Sequence, residues 1–182
     1  MAIVGIISSP HKNGPTAYAV NAILDAAKAD GKDVQVFYIN PMANRKGCQG
    51  CNGCKRNGGS CVIKDDLTPV LEAVRDAESV VVSAPVYFGE ACGQYRLFED
   101  RFYGFLKADF STSLAPGKKV AVVTAAGSAG ADALADKMMG ALVNYFKFEG
   151  VGKIAMVTGN AMDYAEKSDD VKAQCAAIAK KL

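Results

Sequence analysis

Along the chain, short continuous apolar runs alternate with stretches whose apolar residues recur every three or four positions. Residues 2–7 form the first run, ending at Ser8-Ser9-Pro10, and Val20, Ile23, Leu24 and Ala27 then mark a helix over residues 16–30. Gly31 stops it, and residues 33–40 predict a second strand, rich in β-branched and aromatic side chains. Residues 41–64 carry no sustained period, so a long loop is expected. Asp65-Asp66 offers a cap to a helix bearing Leu67, Val70, Leu71 and Val74, and residues 79–84 read as a buried strand. An aromatic helix over 93–106, a strand over 119–126, a helix over 131–149, a strand over 153–157 and a helix over 168–182 complete the pattern.

Five strands alternating with five helices predict an α/β fold, a doubly wound five-stranded parallel sheet in a three-layer α/β/α arrangement, since each crossover helix returns the chain to the same end of the sheet. A single domain over residues 1–182 is expected, with a cysteine-rich loop at 44–64. Ligands of such sheets sit beyond the carboxyl ends of the strands, which directs attention to the loops after the first, third and fourth strands.

Composition narrows the function. Half the residues are apolar and 22% are charged, as in ordinary globular domains. Runs such as 79–85 are far short of the roughly 20 apolar residues of a bilayer span, so no membrane partner is expected. A net charge of +2 argues against nucleic acid. The start, Met1-Ala2-Ile3-Val4-Gly5, runs straight into a strand without leader-like features, and a cytoplasmic location is expected. Six cysteines are unusual, and four of them fall between positions 48 and 61. In a reducing compartment such a cluster points to metal or redox chemistry before structural disulfides.

The loop Ser8-Ser9-Pro10-His11-Lys12-Asn13-Gly14-Pro15-Thr16 gathers hydroxyls and N–H groups at a helix start, where an anionic phosphate is favoured; the same residues also suit a plain turn with Thr16 as cap. Pro85-Val86-Tyr87-Phe88-Gly89 sets two aromatics where a flat cofactor would lie, or where a core or interface would be filled. Ala126-Gly127-Ser128 is small enough for a ligand to approach the backbone, and equally suits a flexible connection.

Together with Gly93-Gln94 and Phe98-Glu99-Asp100-Arg101, these loops resemble the flavodoxin-like NADPH-dependent FMN reductase superfamily. The resemblance implies that Ser9, His11, Asn13, Gly14 and Thr16 surround the FMN phosphate. It also implies that Pro85, Val86, Tyr87, Phe88 and Gly89 flank the isoalloxazine and that Ala126, Gly127 and Ser128 approach its other side. Two positions depart from the pattern: His11 replaces the usual arginine, and Pro15, which has no N–H, replaces asparagine or serine.

The spacing Cys48-x2-Cys51-x2-Cys54-x6-Cys61, with glycines between, suits four thiolates around one cubane. Placed after the second strand, it resembles the iron-sulfur flavoprotein family, which implies a [4Fe-4S] cluster beside FMN; free or redox-active thiols are the alternative. Arg45, Lys46, Lys55, Arg56 and Lys64 form a basic rim suited to thiolates, an acidic ferredoxin or the extra phosphate of NADPH. Cys92 and Cys175 read as ordinary.

The expected function is a cytoplasmic FMN oxidoreductase. It would be an iron-sulfur flavoprotein that takes electrons from ferredoxin or NAD(P)H through a [4Fe-4S] cluster to FMN and on to a quinone, free flavin, oxygen or peroxide, with the chemistry centred on the flavin and no catalytic side chain assigned. A cluster-free NAD(P)H-dependent FMN or quinone reductase, and a flavodoxin-like electron carrier or thiol sensor, are the alternatives. The resemblance also implies a homo-oligomer, with the aromatic stretch 95–105 as a contact surface.

Overall fold

The computed structural model describes residues 2–182. Five parallel strands, β1 (Ile3–Ile7), β2 (Val34–Tyr38), β3 (Ser79–Tyr87), β5 (Lys119–Ala126) and β6 (Glu149–Val157), lie in the order β2-β1-β3-β5-β6. A two-residue strand β4 (Glu90–Ala91), absent from the sequence expectation, folds back antiparallel on β3. On one face pack α1 (Pro15–Ala29) and α7 (Asp169–Ala179), with the short α6 (Tyr164–Lys167) beside them. On the other lie α3 (Thr68–Asp76), α4 (Gly93–Asp100), a 3-10 turn (Arg101–Phe105) and α5 (Ala131–Phe146). The three-layer fold is therefore as expected. Among the described residues no helix is long and apolar enough to cross a membrane.

Boundaries moved where pairing outweighed local propensity. The fifth parallel strand starts at Glu149, earlier than the expected residue 153, because α5 ends at Phe146 and Lys147 turns in a left-handed conformation (φ 63°). Gly150 and Gly152 weaken that strand by propensity, yet they are needed for close packing: a Cβ on Gly152 would lie 2.7 Å from Ile178 Cγ1 of α7.

Four rings of the aromatic stretch are core, so any contact made there falls to its outer residues, such as Arg96 and Tyr103. Tyr95, Phe98, Phe102 and Phe105 are all at most 2% exposed. Phe98 meets Phe102 edge-on at 4.9 Å, and Phe102 meets Phe105 at 5.1 Å. Burial of each ring contributes about 1.5–3 kcal/mol. The expected single helix over 93–106 is α4 followed by the tighter 3-10 turn.

Candidate functional site

Parallel pairing decides which loops meet. Ile7 lies beside Ser83, and Pro85 beside Ala125, so the chain leaves β1, β3 and β5 at one edge of the sheet. The first loop leaves buried β1 through Ser8 and Ser9, which are 0% and 5% exposed. Ser9 Oγ accepts the His11 N–H at 3.1 Å, and Gly14 N–H donates to the His11 carbonyl at 3.2 Å. The true N-cap of α1 is Gly14, in extended conformation and without a side-chain cap; Thr16 is buried in the first turn and does not cap it. Those unpaired N–H groups and the helix dipole make a positive end suited to an anion. Ser8 Oγ is buried with no hydrogen-bond partner among the described residues. A hydroxyl in that state calls for an acceptor; Ser8 lies in the loop expected to gather hydroxyls, although the resemblance carried only Ser9 to the phosphate.

Of the phosphate residues expected, Ser9, Gly14 and Thr16 are buried in the loop and helix start, whereas His11 and Asn13 are exposed. Asn13 borders an outer hollow with Lys12, Tyr18, Asn21, Asp25 and Glu166.

β3 stays buried to Ala84 and emerges through half-buried Pro85 and Val86 to Tyr87, which is 46% exposed. Phe88 and Gly89 form the turn into β4 with φ of 52° and 82°. A left-handed phenylalanine costs about 1–2 kcal/mol, and its ring is fully exposed, so neither packing nor backbone preference accounts for it. At the end of β5, Ala126 is buried while Gly127 and Ser128 are exposed.

A fourth loop, after β6, completes this edge. Thr158 N–H donates to the Ala126 carbonyl at 2.8 Å, Asn160 Oδ1 would lie 2.3 Å from a Cβ on Gly127, and Met162 Cε would lie 3.1 Å from one on Gly14. The strand-end rule points to this loop too; Thr158-Gly159-Asn160 was its overlooked turn signal. An orphaned hydroxyl, a free helix start and an aromatic hairpin on one edge fit a phosphorylated flat cofactor such as FMN.

The cysteine loop is built differently. Its neck is clamped: Arg101, with a fully buried side chain, pairs with Asp65 at 2.6 Å and donates to the Lys46 and Ile63 carbonyls. Asp65 also accepts the Lys46 and Leu67 N–H groups, and Asp66 accepts that of Asn44. Both aspartates thus close the loop, and Asp65, by accepting the Leu67 N–H, also bonds the turn that leads into α3, as the expected cap would; Leu67 itself makes no side-chain cap bond.

Inside the loop a short helix α2 (Gly53–Arg56) turns Cys54 inward, where its thiol faces the Tyr103 carbonyl at 3.9 Å. Cys61 packs on Gly104, while Cys48 and Cys51 are exposed. Among the described residues no three Cys, His, Asp or Glu side chains gather as a metal needs. The thiols as placed do not fit one cubane. The rim is also partly engaged: Lys55 donates to the Tyr103 and Leu106 carbonyls, Arg45 to those of Asn40 and Met42, and Lys64 pairs with Glu72 at 3.7 Å. Lys46 and Arg56 remain exposed.

Cys92 and Cys175 are buried. The Cys92 thiol donates to the Ser8 carbonyl at 3.5 Å, and burial raises its pKa. Burial pushes Cys175 up to about 11. Both are held as thiols, which suits structural roles.

Comparison with known proteins supports the fold and the family. The chain is 32% identical over 101 residues to an iron-sulfur flavoprotein of Methanocaldococcus jannaschii, covering 56% of this chain and 51% of that one. It is 30% identical over 122 residues to one of Methanosarcina thermophila, covering 67% and 63%. The chain thus spans only about half to under two thirds of these relatives. An FMN-dependent NADH-azoreductase from Bacillus anthracis, solved in complex with FMN, shares the fold at a TM-score of 0.72 and 13% identity, covering 100% of this chain and 99% of that one. A family model described as NADPH-dependent FMN reductase matches residues 1–163, and the chain belongs to that family.

Proposed function

We propose that this protein is an FMN-dependent oxidoreductase that takes reducing equivalents from NAD(P)H and passes them to a small acceptor: a quinone, free flavin, oxygen or peroxide. The observation that carries the reading is the meeting, at one sheet edge, of the unpaired start of α1, the orphaned Ser8 hydroxyl and the exposed Phe88 hairpin. FMN bound there supplies the hydride and electron transfer.

The chain's own part is binding and shielding. Main-chain N–H groups of the first turn of α1 hold the phosphate, joined by Ser8 and by Ser9, whose hydroxyl hydrogen is still free to donate after Ser9 Oγ accepts from His11. Pro15 removes one donor from that set. The hairpin at Tyr87 to Gly89 and the segment Ala126 to Ser128 flank the ring and limit water. Mixing the protein with FMN and removing free flavin should leave stoichiometric bound FMN that NADPH or NADH bleaches and a quinone restores. A protein that retains no flavin overturns the reading.

A second reading adds a [4Fe-4S] cluster on Cys48, Cys51, Cys54 and Cys61, with ferredoxin as donor. It is favoured by their spacing and by the names of the curated relatives. Against it, the thiols as placed do not converge on one point. Iron and sulfide measured on anaerobically purified protein decide it: the reading needs both, and needs Cys51→Ser to lose them. We further propose that the chain is a cytoplasmic homo-oligomer, which size-exclusion chromatography with light scattering checks.

A further inference from the structure

Away from the strand ends, beneath the cysteine loop, lies a cavity of about 220 Å³ that the flavin reading does not use. One wall is the face of α3 carrying Glu72 and Arg75; loop residues Ser60, Cys61 and Lys64 and the buried Arg101 complete the lining that matters here. The cavity brings together three cations. Arg101 is paired with Asp65 at 2.6 Å, and its Nε is buried without a partner. Lys64 pairs with Glu72 at 3.7 Å, both side chains being more than half exposed, so the contact is weak and readily opened by a competing anion.

Arg75 has no carboxylate partner among the described residues. Its guanidinium lies 5.4 Å from the centre of the Phe105 ring and donates one hydrogen bond, to the Gly59 carbonyl at 2.9 Å. A guanidinium carries five N–H donors in a planar fork matched to oxyanions, and most of this fork is unspent. Two carboxylates against three cations leave the surroundings net positive, and the Ser60 hydroxyl adds a neutral donor.

We propose that this cavity is a binding site for a small oxyanion of the phosphate or carboxylate class, with Arg75 as its principal donor and the Cys61 thiol in its wall. An anion seated there screens Cys61 from solution reagents. It also ties the cysteine loop to α3, since Arg75 already bonds the Gly59 carbonyl of that loop. The assignment is independent of the flavin site.

The test uses FMN-loaded protein, so that the first loop is filled, in a buffer whose only small anion is chloride at constant ionic strength. Inorganic phosphate and, separately, malonate are titrated by calorimetry, and alkylation of Cys61 by N-ethylmaleimide is followed by peptide mass spectrometry. Saturable binding of one of the two anions is expected, with Cys61 alkylated several-fold more slowly while Cys48 and Cys51 are unaffected; the anion that binds names the class. Arg75→Gln should lose both effects. Glu72→Gln should tighten binding, a gain that damaged folding would not produce. No saturable binding of either anion, or binding unchanged in Arg75→Gln, overturns the proposal. Failure to take up FMN counts against the flavin reading alone, and the Arg75 and Glu72 comparisons then decide the cavity on flavin-free protein.

Discussion

The strand-end site and the cysteine loop solve the same problem, gathering reactive groups, by opposite means. At the sheet edge, residues from positions 8–16, 85–90, 126–128 and 158–162 meet because parallel strands must end side by side. Each loop is short and its backbone is held by neighbours. In the cysteine loop the four thiols are close in sequence, yet the bonds that hold it, at the neck through Asp65, Asp66 and Arg101 and in the body through Lys55 and the Gly59 carbonyl, leave the thiols apart. Two thiols turn inward and two outward. Closeness in sequence did not bring these thiols together, whereas topology brought together residues more than a hundred positions apart.

The largest effect should come from the neck. Arg101→Met strands Asp65 as a buried carboxylate without its partner, and urea unfolding should register a loss of about 3–5 kcal/mol. Flavin uptake by the folded fraction should persist, since the strand-end loops do not use this clamp. Wild-type stability in Arg101→Met would break the contrast between the two regions.

Cys175 is a reference for a thiol that the fold does enclose. Its pKa is raised from 9.0 to about 11, so above pH 9 the unfolded chain ionises while the folded one keeps its proton. Stability should therefore fall as pH rises from 9 towards 11, with a slope from this group of up to about 1.4 kcal/mol per pH unit. Urea midpoints across that range should fall less steeply in Cys175→Ala. An identical pH dependence in the two proteins would show that burial does not govern this thiol.

At the strand ends, Phe88→Gly relieves a left-handed phenylalanine and should raise stability by about 1 kcal/mol while lowering quinone turnover. Turnover unchanged in that variant would remove Phe88 from the site. The smallest effect expected is from Pro15→Asn, which restores an N–H to the first turn of α1. One added hydrogen bond of about 1 kcal/mol should tighten FMN several-fold, read by fluorescence titration, and weaker binding would deny that N–H a role.

Much of the fold was legible because the signals were local. β1 is apolar throughout, β3 and β5 are apolar runs interrupted only by residues such as Ser83 and Thr124, and α1, α3 and α7 keep their apolar residues on one face. The start of β6 was not legible, since Gly150 and Gly152 look like a loop until Met139 and Ile178 are seen packed against them. The phosphate loop could be read from its hydroxyls and glycine, but Ser8, the Asn160 loop and the second role of Asp65-Asp66 required partners distant in the chain.

Taken alone, the sequence determined the alternation of strands and helices, the chemical character of the first and third loops, and the presence of four clustered thiols. These are properties of periodicity and residue type, carried by neighbours a few positions apart. Only the tertiary structure decided that four rings of the aromatic stretch are core, that Arg101 closes the cysteine loop, that its thiols diverge, and that Arg75 is left without a carboxylate among the described residues. Each of those depends on which groups face one another once the chain is packed, and burial and pairing are set by contacts that no local pattern encodes.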